Sequence, residues 1–178
     1  MSLDWDISAG RFTADPIRLT FADGSFFEIV QTLNGLDRTS LMGLLSDLSG
    51  LVLADATVRV RNNGVFDSMI AAQLAARFRD VEGDPDAVLN AALFELLDKV
   101  DRLPSEVLDG RSLQSIHQMF SDGPIPQGEV VVSLTGPGLP LDRFVGLGLS
   151  AGLPDAPGIR RAFQDQNLTV RYTAPDAR

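Results

Sequence analysis

Alternating apolar and polar residues predict β-strands in the first third of the chain. Two runs place an apolar side chain at every second position, namely Trp5, Ile7 and Ala9, and then Ile17, Leu19 and Phe21. This period of two is expected of a strand with one buried face. A further apolar run covers 26–30, and Asp23-Gly24 precedes it. Because an Asp-Gly pair suits a type I′ turn with positive φ at both central residues, we predict a hairpin here.

Apolar residues spaced three or four positions apart predict helices in the middle of the chain. The predicted helices are a short one within 37–48, an alanine-rich one over 65–78, one that starts at Pro85 and carries an apolar stripe from Leu89 to Val100, and one over roughly 113–120. Breaks at Gly50, at 82–85 and at 103–105 separate them. We therefore expect helices to occupy the centre of the sequence.

Strand patterns return around and after the helices. We predict a strand over 51–61 with a bulge near Ala54-Asp55, a buried strand over 128–135 and a last strand over 168–172. A short helix over 142–147, a loop over 154–158 and a helical turn over 160–164 lie in between. Strands followed by helices and then strands favour an α+β fold. We expect an antiparallel, curved sheet with about three or four helices packed on one face, and we interpret 1–178 as a single α+β domain, either complete or excised from a longer anchored protein.

Composition excludes several classes of site. The chain has no cysteine, which removes disulfides and thiolate metal sites, and its single lysine, Lys99, lies in a predicted helix rather than in a glycine-rich loop. The net charge of −9 argues against a nucleic-acid partner, since such binding draws on basic side chains. No apolar run reaches the ~18 residues of a membrane span. We predict no cofactor, no metal and no membrane span within this segment.

One motif suggests a nucleophile. Residues 148–152 match G-x-S-x-G around Ser150, the pattern that exposes the serine of α/β-hydrolases on a tight turn. The only histidine, His117, precedes the serine, whereas the hydrolase order places histidine last. Leu153-Pro154 follows the motif at once, where a helix should begin. A glycine-rich loop is therefore the favoured interpretation, and His117 is expected to be a surface or half-buried residue.

Carboxylates occur in pairs, but their spacing favours structural roles. The pairs are Asp4 with Asp6, Asp84 with Asp86, and Asp98 with Asp101. Carboxylates near a helix start are favoured by the helix dipole, and those one turn apart beside basic residues form a solvated face. A pair of acids could still serve as general acid and base. We predict no catalytic residue and keep as the alternative a small hydrolase that uses Ser150 or a carboxylate pair.

A strand–turn–helix segment carries the one family resemblance. Residues 56–67 run into the alanine-rich 71–76, and 118–120, 128–132 and 139–141 follow as helix, linker and closing strand. In pattern these segments resemble uncharacterised bacterial inner-membrane-anchored, mostly periplasmic proteins of the DUF2125, DUF945 and AsmA-like kind. The resemblance implies a non-catalytic envelope domain that binds lipid or a protein partner between a curved sheet and its helices.

Two classes of function follow from these observations. The first is a binding or scaffolding domain of a bacterial envelope protein, on the periplasmic face of the inner membrane if the chain is excised from an anchored protein and cytoplasmic otherwise. Its partner would be a lipid or a protein, or a second copy of the chain that covers exposed strand edges. The second class is the small hydrolase. The apolar face of the predicted helix over 65–78 is expected to fill the core rather than line a lipid groove.

Overall fold

The computed structural model describes residues 1–36, 50–67, 85–121, 125–142, 163 and 165–175. These residues form strands and two helices. In chain order the elements are β1 (Ser2–Asp6), β2 (Arg11–Thr20), β3 (Phe26–Asn34), β4 (Val52–Asn62), α1 (Pro85–Asp101), α2 (Gly110–Met119), β5 (Gly128–Thr135), β6 (Leu139–Pro140) and β7 (Asn167–Thr173).

The strands form one antiparallel sheet in the order β1-β2-β3-β4-β5-β7. The short strand β6 also pairs with β4, where Leu139 lies opposite Leu53. Pairing between β4 and β5 stops at Ala56 and Leu134, while Thr135 still pairs with Asn167 of β7, so residues 136–138 lie between these pairings and the pairing of β6 with β4. This excursion brings Gly136 and Gly138 close to the turn that precedes β7.

The hairpin between β2 and β3 forms where Asp23-Gly24 predicts it, but with a different turn. The backbone N–H of Phe21 donates to the carbonyl of Ser25 at 2.8 Å, so the loop has three residues, 22–24. Gly24 has φ of +81°, whereas Asp23 has no positive φ. A three-residue loop with a left-handed third residue replaces the expected type I′ turn. The reason is that Asp23 accepts hydrogen bonds from the N–H and hydroxyl of Ser25 and holds the longer loop together.

The two faces of the sheet differ in polarity. Register places most apolar residues of the long strands on one face, including Leu33, Leu53, Ala56, Leu134 and Leu168. Leu53, Leu134 and Leu139 are buried at the centre of the core on this face, and Phe163 packs against them. The opposite face carries arginine, glutamate, threonine and serine. One face therefore supplies the core and the other meets solvent, as expected for an antiparallel sheet.

Both described helices confirm predicted ones. Helix α1 begins at Pro85, and its predicted apolar stripe is half-buried. Helix α2 begins at Gly110, three residues before the predicted start, because Asp109 caps it by accepting from the backbone N–H of Ser112 at 2.7 Å. The segment before α2 and the helix itself also cover the outer edge of β7. The carbonyl of Val107 accepts from Leu168 N–H at 3.0 Å, and Ser112 Oγ accepts from Val170 N–H at 2.9 Å.

The predicted α+β class and antiparallel sheet are confirmed for the described residues. The strand over 128–135 has its predicted bounds, and the bulge near Ala54 is present as a register shift opposite Thr32 and Leu33. The first strand is shorter than predicted, since residues 7–10 form a turn in which Asp6 accepts from the N–H groups of Ser8 and Ala9. The predicted helices within 37–48, 65–78 and 142–147 and the helical turn over 160–164 lie largely outside the described residues.

Candidate functional site

A ladder of alternating charges crosses four strands on the polar face of the sheet. We call this set of Arg18, Glu28, Arg59, Glu129 and Arg61 the charge ladder. Arg18 Nη1 lies 3.2 Å from Glu28 Oε2, and Arg59 Nη1 lies 3.0 Å from Glu28 Oε1. Arg59 Nη2 then lies 2.8 Å from Glu129 Oε1, and Arg61 Nη2 lies 2.6 Å from Glu129 Oε2. Each glutamate is thus held between two guanidinium groups.

Strand register builds the ladder. Glu28 lies directly opposite Arg18 on one side and Arg59 on the other, and Glu129 lies opposite Arg61. Opposite charges on facing residues of neighbouring strands stabilise the pairing. Hydrogen bonds from Arg59 lower the pKa of Glu129, and hydrogen bonds to Glu129 and Glu28 raise the pKa of Arg59. Glu129 therefore stays ionised at neutral pH between Arg59 and Arg61.

Phe26 lies beneath the arginines. Its ring is 3% exposed, and the guanidinium carbons of Arg18, Arg61 and Arg59 lie 3.9, 5.4 and 5.7 Å from the ring centroid. Planar cations stacked on an aromatic face gain electrostatic attraction and shield the ring from water. Within the ladder every charge has a partner at hydrogen-bonding distance. We assign the charge ladder a structural role, because its side chains already pair with one another, whereas a reactive group must be available to contact a substrate.

The apolar face has an uncovered end on β2 and β3. Leu19 lies opposite Phe27, and Ile17 lies opposite Ile29 in the same register. Leu19 is 59% exposed, Phe27 39% and Ile17 38%. We call Ile17, Leu19 and Phe27 the apolar patch. Single exposed apolar residues are common on protein surfaces, but adjacent large ones on a sheet face are typical of a contact site.

The residues predicted as candidate chemistry are not assembled into one site within the described part of the chain. Ser150 lies outside it, as does Asp84. His117 Nε2 lies 2.7 Å from Asp101 Oδ1, and the two side chains are 45% and 47% exposed. The imidazole is thus on the surface, as predicted. Its carboxylate partner has no signature in the sequence near His117, because Asp101 comes from the end of α1, 16 residues earlier in the chain.

The carboxylate pairs take separate structural partners. Asp98 pairs with Arg102 one helical turn away at 2.6 Å, whereas Asp101 pairs with His117. Asp6 holds the turn after β1, and a hydrogen bond from the Ser8 hydroxyl, with one from the backbone of Ala9, lowers its pKa. In the described ranges no three histidine or carboxylate side chains come together as metal ligands. No described helix has the length and apolarity to cross a membrane.

Comparisons with protein-family models, with curated proteins and with solved structures give no match to this chain. The resemblance to anchored envelope proteins therefore stays a prediction. The charge ladder occupies one face of the sheet, and the apolar patch is exposed on the other. Of these two surfaces, the apolar patch is the candidate binding surface.

Proposed function

We propose that this chain is a non-catalytic binding domain of a bacterial envelope protein, and that the apolar patch binds the acyl chain of a lipid. The observation that carries the proposal is the exposure of Ile17, Leu19 and Phe27 side by side on one sheet face. In this proposal the sheet is curved, three or four helices pack on one face, and the domain lies on the periplasmic face of the inner membrane when it belongs to an anchored protein.

The size of the patch sets the strength of binding. Burying a large apolar side chain completely contributes about 1.5–3 kcal/mol. Because the three side chains are roughly half exposed in the free protein, covering them contributes about half of that each, or on the order of 3 kcal/mol together. This corresponds to about a hundredfold in a dissociation constant.

A fluorescent fatty acid tests the proposal. We expect a dansyl-labelled undecanoic acid to show saturable blue-shifted emission with the wild-type protein, and Leu19→Gln to weaken binding roughly fivefold or more, since it removes apolar contact area. Thr20→Gln is the matched control, because Thr20 is exposed on the opposite face of the same strand. Wild-type protein that gives no saturable signal, or equal weakening by the two variants, contradicts the proposal. The hydrolase alternative stays a prediction from the sequence.

A further inference from the structure

Two asparagines of this chain precede a glycine, and the fold holds them differently. Asn34-Gly35 lies at the end of β3, and Asn63-Gly64 follows directly after β4. An asparagine before glycine loses its side-chain amide readily, because glycine has no Cβ to hinder attack by its backbone nitrogen on the asparagine side chain. The attack also requires rotation of the backbone at the asparagine. Local structure therefore decides which of the two reacts.

Asn34 is held in the sheet on both sides. It lies opposite Arg11 of β2 and opposite Val52 of β4. Two residues later, the N–H of Leu36 donates to the carbonyl of Gly10 at 2.9 Å. The backbone is thus fixed before and after the Asn34-Gly35 bond. Rotation at Asn34 would break pairing with two strands, which costs far more free energy than the opening of a surface turn.

Asn63 lies in an exposed turn beyond the end of the strand. Gly64 has φ of +129°, and no described atom lies within 4 Å of the place where a Cβ would be. The N–H of Gly64 donates to Asn62 Oδ1 at 3.0 Å, a contact inside the same turn. Ring closure at Asn63 therefore needs a local opening of this turn and leaves the strand pairs intact.

The Asn63 turn is attached to the loop over 22–24 that joins β2 to β3. The N–H of Asn63 donates to Ser25 Oγ at 2.9 Å, and its Nδ2 donates to the carbonyl of Asp23 at 3.0 Å. The N–H of Val65 donates to Asp23 Oδ2 at 3.0 Å. A carboxylate at position 63 would have no N–H for the Asp23 carbonyl, and it would add a second negative charge beside Asp23.

We propose that Asn63-Gly64 is a site of spontaneous deamidation, and that the modification detaches residues 63–65 from the β2–β3 loop. Hydroxide removes the proton of the Gly64 amide, and its nitrogen forms a bond to Cγ of Asn63. The bond from Cγ to the side-chain nitrogen breaks, and this nitrogen leaves as ammonia with a proton from water.

Water then opens the resulting five-membered imide at either of its two carbonyls. One product has aspartate at position 63, and the other has isoaspartate, in which the main chain runs through Cβ. Both products lack the amide donor to Asp23, and isoaspartate also displaces the N–H of Val65 along the chain. The site is independent of lipid binding at the apolar patch.

Peptide mapping by mass spectrometry tests the site, with Asn34 as an internal control. The full chain is incubated folded, in mildly alkaline buffer, and a second sample is incubated in urea. Trypsin separates the two Asn-Gly pairs, because cleavage after arginine gives peptides 19–38 and 62–77. We expect Asn63 to deamidate at least about tenfold faster than Asn34 in the folded protein, and at about the same rate in urea. Equal rates in the folded protein, or a faster rate at Asn34, overturn the proposal.

Variants test the consequence for the loop. Asn63→Asp reproduces one product, and we expect several-fold faster hydrogen exchange at the Val65 amide, which donates to Asp23. Asn63→Gln keeps an amide donor, and its longer side chain does not close a five-membered ring, so it should show neither deamidation at position 63 nor faster exchange. Asn90→Asp is the matched control, because it adds the same charge at an exposed position of α1. Exchange at Val65 that is alike in Asn63→Asp and Asn90→Asp contradicts detachment of the turn.

Discussion

At the scale of single residues, the charge ladder makes Glu28 the most consequential carboxylate of the sheet. Its side chain is 9% exposed and receives hydrogen bonds from Arg18 and Arg59. Glu28→Gln keeps the shape but leaves two guanidinium groups without their shared anion. Because both arginines are partly exposed, water compensates in part, and we expect the free energy of unfolding to fall by about 1–2 kcal/mol.

Urea unfolding measures this loss against a matched control. Asp98→Asn makes the same acid-to-amide change at a carboxylate that is 54% exposed and paired with Arg102 within one helix. Such pairs contribute about 0.3–0.5 kcal/mol, so this variant should stay close to wild type. Equal losses in the two variants would mean that the charge ladder adds nothing beyond ordinary surface pairing.

The ladder also shows where single residues elude prediction from sequence. From the sequence alone, Arg59 and Arg61 form only a small basic pair. Their structural role depends on Glu28 and Glu129, which lie 31 and 70 residues from Arg59. Gln166 is similar, since its partner Gly138 is 28 residues away. Neither set has a spacing signature, because register between distant strands brings its members together. His117 and Asp101 also have no spacing signature, because they lie on different helices and are 16 residues apart in the sequence.

At the scale of elements, one hydroxyl joins α2 to the edge of the sheet. Ser112 is 2% exposed, and its Oγ accepts from Val170 N–H at 2.9 Å. Ser112→Ala leaves that buried N–H without an acceptor, which costs about 1–3 kcal/mol. We expect the free energy of unfolding to fall by this amount and hydrogen exchange at the Val170 amide to become faster.

Ser115 supplies the control on the same helix. It lies one turn after Ser112, and its hydroxyl makes no side-chain hydrogen bond within the part of the chain that the structure describes. Ser115→Ala should therefore leave Val170 exchange unchanged. If Ser112→Ala behaves in the same way, α2 is held against β7 by apolar packing alone.

The sequence predicts most of the described strands and helices, but it does not predict where each of them begins and ends. Alternation over Ile17 and Leu19 marks β2, and Pro85 marks the start of α1, because both signals are local. The turn at Asp23-Gly24 and the start of α2 differ from the prediction, because the side chains of Asp23 and Asp109 accept hydrogen bonds from the backbone beside them. Caps and loop lengths depend on such hydrogen bonds rather than on apolar period.

At the scale of the whole molecule, acid should destabilise the fold through a defined set of carboxylates. Hydrogen bonds in the folded state lower the pKa of Asp6, Asp23, Asp109 and Glu129, the first three chiefly through donors in their own turns and caps. A carboxyl group whose pKa is lowered by folding stabilises the protein above its unfolded pKa, near ~4, and loses that contribution as the pH falls through the folded pKa. The unfolded chain therefore takes up protons first.

The net charge of −9 acts in the opposite direction, since protonation of the unpaired carboxylates relieves repulsion as the pH falls. Salt separates the two effects, because at about 0.5 M the screening length is only a few ångströms, whereas hydrogen-bonded pairs are screened much less. We expect the free energy of unfolding in high salt to be level between about pH 7 and 5 and to fall steeply below about pH 4.5. Glu129→Gln should make that fall shallower, since one depressed pKa is removed. A curve in Glu129→Gln as steep as in wild type would mean that the arginines of the ladder do not hold Glu129 ionised in the folded protein.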